Sequence, residues 1–161
     1  YVLPTLEALK RKKGKKLCEY ELGLTEDLQP CGFKDKDVWF RGIADLIILN
    51  EEDKLAWVVD YKTGKSARYA DKNQLELMAL AVFKHFPNIE RVNGGLLFVV
   101  SKDLITDTYT RRPREQEITT KYLNKFSQMV IASDNNVWNP NPSGLCRAWC
   151  EVLECAHNGR N

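Results

Sequence analysis

Two mostly apolar runs, residues 38–49 and 54–62, are joined by the polar turn Asn50-Glu51-Glu52-Asp53. They constrain the fold more than any other feature because ionisable groups sit inside them: Asp45 in the first, Asp60 and Lys62 in the second. An ionised side chain within an apolar strand is costly unless it is paired or binds something. Strand alternation places Asp60 and Lys62 on one face. If the turn closes an antiparallel hairpin with residue 49 against 54, Ile43 faces Asp60 and Asp45 faces Val58. Asp45 and Asp60 are then diagonal neighbours on one face, roughly 7–8 Å apart at the backbone. Two carboxylates at that range can share a divalent cation, and a lysine beside them can meet an anionic oxygen. Phosphodiester hydrolysis needs those parts. The plainer alternative is a structural ion pair between Asp45 and Lys62, with Asp60 capping a strand end.

The surrounding pattern reads as one α/β domain over residues 1–161, with an irregular tail, rich in Asn, Pro and Cys, from 135 to 161. Residues 4–13 read as a short helix opened by Pro4 and broken by Gly14. Residues 17–24 alternate as a strand, with Cys18, Tyr20, Leu22 and Leu24 on one side and Leu17, Glu19 and Glu21 on the other. The clearest helix spans 71–86, with Leu75, Ala79, Val82, Phe83 and Phe86 inward and Pro87 as its stop. A buried strand is expected at 95–101, then a polar, Arg-rich stretch to Arg114. A second amphipathic helix is expected over 116–132, with Ile118, Tyr122, Phe126, Met129 and Val130 inward. Trp39, Trp57 and Trp138 are expected in the core.

Apolar residues at 43% and charged residues at 29% exclude bulk disorder. No apolar run is long enough to span a bilayer, and no secretory leader opens the sequence. Five cysteines leave one over from any complete disulfide set, which favours a reducing, cytoplasmic setting. Residues 1–16 carry six Lys or Arg against Glu7, a balance of +5, and the remainder carries −3. That asymmetry fits a protein holding a polyanion near carboxylates, and equally a solvated helix end. Phosphate contacts are expected from Lys12 and Lys13 in the run Lys10–Lys16, from Lys65 and Arg68, and from the Arg111, Arg112 and Arg114 stretch. Tyr69 is the aromatic expected to meet a base.

The motifs Gly42-Ile43-Ala44-Asp45, Asp60-Tyr61-Lys62-Thr63-Gly64-Lys65 and Gln74-Leu75 resemble the PD-(D/E)XK nuclease superfamily, in particular its RecB-like branch and related phage exonucleases. The resemblance covers roughly residues 17–101. It implies a restriction-endonuclease-like α/β core, a central mixed sheet flanked by helices. It further implies a metal-dependent DNA exonuclease acting in recombination, repair or phage DNA processing, with a recombination or helicase partner. Carried over, Asp45 and Asp60 are metal-binding carboxylates, the Tyr61 carbonyl completes a metal edge, and Lys62 is the catalytic lysine. Glu19 resembles the acidic residue of the preceding strand, with Glu21 competing for that place, and Gln74 touches substrate or braces the site. The implied metal is Mg2+ or Mn2+.

Three departures accompany the resemblance. Met78 stands where the branch has a tyrosine, and reads as packing. Relatives carry a metal-binding His on an upstream helix, before the place where this sequence begins, and His85 reads as a surface residue and no substitute. The naming proline is not evident before Asp45. These leave open a nucleic-acid-binding module that does not cut, or a nuclease subunit of a larger helicase–nuclease assembly. Cys146, Cys150 and Cys155 resemble the C-terminal trio that some relatives place on a [4Fe–4S] cluster. With His157 they also suit zinc, and without metal they read as thiols packed with Trp149 and Val152.

Overall fold

A computed structural model describes residues 3–64, 67 and 70–160. The element order is α1 (Leu3–Arg11), β1 (Lys15–Leu24), β2 (Pro30–Cys31), β3 (Phe40–Asn50), β4 (Leu55–Lys62), α2 (Lys72–His85), β5 (Arg91–Phe98), β6 (Asp103–Thr110), a kinked segment (Arg111–Glu115) with extended backbone at Arg112, α3 (Gln116–Asp134) and α4 (Leu145–Ala148). The strands form one sheet in the order β2-β1-β3-β4-β5-β6. Among the described residues, only β4 and β5 pair in parallel. A parallel pair needs a long crossover, and α2 supplies it. This is a mixed sheet with flanking helices, consistent with the restriction-endonuclease-like α/β fold. By compactness the chain divides into Tyr1–Phe126 and Ser127–Asn161.

The core lies between the sheet and α2. Leu75, Met78, Ala79, Leu80, Ala81, Val82 and Phe83 are all buried, so α2 is enclosed on more than one stripe. Met78 packs as expected: a Cβ on Gly42 would come 2.8 Å from its sulfur, so β3 keeps a glycine where the helix approaches. A smaller cluster of Leu9, Leu46, Ile48, Val59 and Leu97 brings together α1, β3, β4 and β5. Lys12 Nζ sits 3.6 Å from the Trp57 ring centroid and adds a cation–π contact there. Gly14 turns α1 into β1 at φ 129°, and a side chain there would run into the Leu49 carbonyl.

Several expectations are corrected. The hairpin pairs Leu46 with Val59 and Asn50 with Leu55, two residues away from the expected register. The turn keeps its four-residue length but sits one residue further along the chain, because Asn50 stays in the strand and bonds Asp53 with both ends of its amide. Alternation in β1 also fails. Leu17 packs on the same core as Tyr20, Leu22 and Leu24, while Cys18 lines a cavity with Leu46. Glu19 lies between them at φ 48°, and this turn of the backbone flips which face the side chains take. The stretch 103–110, expected as a polar connection, is the edge strand β6. In α3 only Ile118 and Tyr122 are buried, Phe126 is partly buried, and Met129 and Val130 are exposed. Trp39 and Trp138 are exposed, and Trp57 is partly buried.

Candidate active site

Asp60 and Lys62 stand at the C-terminal end of β4, and their side chains meet: Lys62 Nζ lies 2.6 Å from Asp60 Oδ2. Gln74, in the first turn of α2, closes the group. Its Nε2 donates to Asp60 Oδ1 at 2.7 Å, and its Oε1 accepts from Lys62 Nζ at 2.8 Å. Asp60 is 8% exposed, and the ammonium and the amide take the places of the water it gives up on burial. The ion pair is therefore Asp60–Lys62, and not the Asp45–Lys62 pair of the plainer reading.

Asp45 does something strand alternation does not anticipate. Its Oδ2 accepts from the Tyr61 backbone N–H at 2.6 Å. The β3–β4 ladder ends at Leu46–Val59, and the carboxylate stands in for the next ladder acceptor. The strands part at this point, with Asp45 on one lip and Asp60 on the other. On the other side of β3, Cys18 pairs with Leu46 and Tyr20 with Ala44, so Glu19 lies level with Asp45, and Glu21 pairs with Ile43. Glu19 is exposed. Among the described residues, no three His, Cys, Asp or Glu side chains gather to form a metal cage. Cys146, Cys150, Cys155 and His157 are thus not brought together, and Trp149 and Val152, expected to pack, are exposed.

The first turn of α2 is held from two sides. Asp71 caps it, accepting from Asn73 N and Nδ2 at 2.9 and 2.8 Å, and these bonds hold its carboxyl below the usual carboxylate range. From α3, Tyr122 Oη donates to Asn73 O at 3.2 Å, and Lys121 bonds both Asn73 and Glu76. Asp71→Ala is expected to cost about 1 kcal/mol of stability. A depressed carboxyl stabilises above its unfolded pKa and loses that contribution as pH falls through the folded one. The melting difference between wild type and variant therefore shrinks on acidification.

The basic residues expected to meet phosphate divide clearly. Lys12 is over Trp57, and Lys13 pairs with Glu52 at 2.5 Å. Arg111 and Arg114 are engaged internally, with Glu115 and with Glu76 and Glu117. His85 is not a surface residue; its Nε2 is 2.8 Å from Gly23 O. Arg112 is exposed. Lys65, Arg68 and Tyr69 lie outside the described residues.

A protein-family model for the PD-(D/E)XK nuclease superfamily matches residues 2–155. The chain belongs to this superfamily. Membership implies a nuclease, and PD-(D/E)XK nucleases typically use divalent metals such as Mg2+. A search of curated proteins gives no match. A solved structure described as the crystal structure of SSO0001 is similar at 17% identity and a TM-score of 0.45, over 96% of this chain and 67% of that one. For a PD-(D/E)XK site the donors fit a hard cation. Asp60 Oδ2 is buried and takes no hydrogen bond, only the ion contact with Lys62. Magnesium commonly takes one or two carboxylates from protein and fills its other positions with water, so two acidic side chains suffice. No helix among the described residues is long and apolar enough to cross a membrane.

Proposed function

We propose that this chain is a Mg2+- or Mn2+-dependent deoxyribonuclease of the RecB-like branch, acting as an exonuclease in recombination, repair or phage DNA processing. The observation that carries the reading is the closed group Asp60–Lys62–Gln74 beside Asp45, at the point where β3 and β4 separate. Asp45 and Asp60 would hold the metal, with the Tyr61 carbonyl and Glu19 at its edge. When bound, the cation polarises the phosphate and makes water a better nucleophile. Lys62, oriented by Gln74, sets a positive charge where the phosphate oxygens gain negative charge. Water gives up a proton to solvent as its oxygen bonds to phosphorus, the P–O ester bond breaks, and the leaving oxygen takes a proton from solvent. Exposed Arg112, with Lys65, Arg68 and Tyr69, would steady the strand. The reducing setting that five cysteines favour would place this activity in the cytoplasm, alongside a recombination or helicase partner.

Cleavage of end-labelled single- and double-stranded DNA in Mg2+, Mn2+ or EDTA tests this. Wild type is expected to digest DNA only with metal, releasing short products from an end. Lys62→Ala is expected to lower the rate by on the order of 10²–10³. Retained DNA binding with no digestion under either metal would replace the enzyme by a binding module.

A further inference from the structure

A second cavity lies behind the catalytic strand. It is lined by Leu6, Leu9 and Lys10 of α1, Cys18 of β1 (beside Lys16), Leu46 of β3 and Tyr61 of β4, with a volume of about 270 Å³. Tyr61 sits between Asp60 and Lys62, and alternation turns its ring to the opposite face of the sheet from theirs. The same residue also lines the cavity of about 390 Å³ that contains Lys62 and Gln74. A chain passing the end of β4 therefore reaches both spaces.

The lining describes its occupant. Leu6, Leu9 and Leu46 give apolar walls, and the Tyr61 ring, 37% exposed, offers an aromatic face. The Lys16 ammonium is turned away onto Lys12 O and Gly14 O, at 2.5 and 3.2 Å, which leaves its stem to the wall. Lys10 is exposed at the rim and forms no ion pair among the described residues. The volume lies below the roughly 300–1,000 Å³ that accommodates drug-sized ligands, and suits one planar ring system. An apolar slot, an aromatic face and a cation at the mouth match a nucleobase followed by its phosphate. A base in a duplex has its faces stacked on its neighbours, so an unpaired base is the one free to lay a face against the Tyr61 ring.

Resting on the nuclease reading, we propose that this cavity is a subsite for one unpaired nucleobase next to the scissile phosphate, and that it makes the substrate a single-stranded end. The Tyr61 N–H bond to Asp45 couples the subsite to the carboxylates, since a base pressing on Tyr61 bears on the strand that holds Asp45 in place.

Fluorescence anisotropy with a labelled single-stranded oligonucleotide and its duplex, in EDTA so that no cleavage intervenes, tests the subsite. Wild type is expected to bind the single strand more tightly. Tyr61→Leu, which keeps the apolar volume, and Leu6→Glu, which puts a charge in the slot, are each expected to weaken single-strand binding about five-fold or more. Duplex binding is expected to stay unchanged, and thermal melts check that both variants fold. Equal affinity for the two forms, or undiminished single-strand binding in folded Tyr61→Leu, overturns the subsite. Failure of the nuclease reading shows separately, as wild-type protein that cuts nothing with either metal.

Discussion

Asp60→Asn is expected to leave a folded protein whose metal-dependent cleavage falls by on the order of 10³, with Mn2+ binding lost in parallel. The substitution keeps the shape of the side chain and removes its charge. Asn retains one oxygen to accept from Gln74 Nε2, now 2.7 Å from Asp60 Oδ1. What disappears is the anionic oxygen that takes no hydrogen bond and faces the Lys62 ammonium. Stability is expected to move the other way or hardly at all. A buried carboxylate costs desolvation that its lysine only partly returns, and Lys62, whose side chain is 34% accessible, can turn to water once the pair is gone. Loss of activity without loss of melting temperature is the signature of a group retained for chemistry. Cleavage rates, Mn2+ titration and thermal melts on one preparation measure all three. Wild-type cleavage by the variant would refute the metal-ligand role.

Local physics made part of this site legible and left part hidden. Period two was enough to bring Asp60 and Lys62 to one face, because they are two residues apart on one strand. The contact with Gln74 comes from the motif resemblance, since no periodicity links a strand to the helix that follows it. Register was off by two, because a polar run marks a turn without saying at which residue the strand before it stops, and the turn sits one residue later than the run suggests. That shift decides how Asp45 stands to Asp60, so spacing alone misjudged the lip between β3 and β4. The Asp45 bond to Tyr61 N–H was invisible for a related reason: it replaces a ladder bond at a place where the ladder stops.

The other misreadings share one cause. β6 alternates β-branched and polar residues, as an edge strand with one wet face should, and its aspartates and threonines passed for a connection. In α3, Met129 and Val130 continue the helical spacing of Ile118 and Tyr122 but are exposed. Basic residues were the hardest to sort. A sequence shows that a charge exists and not whether a carboxylate from a distant element meets it. Lys13 and Glu52 are 39 positions apart, and Arg114 and Glu76 are 38 apart.

Arg111 and Arg112 turn that last point into a measurement, because adjacent arginines are expected to fail in opposite ways. The Arg111 guanidinium, 17% accessible, donates to Ile89 O at 2.8 Å and to Phe83 O and Phe86 O at 3.1 and 3.0 Å. It also meets Glu115 at 2.9 Å, which Lys84 meets at 3.0 Å. It thereby satisfies carbonyls at the end of α2 that the helix leaves without donors. Arg111→Met keeps the stem over Phe83 and removes every donor. Breaking a buried pair of this kind costs about 3–5 kcal/mol, or roughly 10 °C in melting temperature for a chain of this size. Arg112 is exposed, so Arg112→Ala is expected to leave the melting temperature alone. Its loss should appear instead as weaker DNA binding whose dependence on log salt is shallower by about one unit. Melting curves and salt-dependent binding on the two variants separate the roles, and an unstable Arg112→Ala or a fully stable Arg111→Met would reverse them.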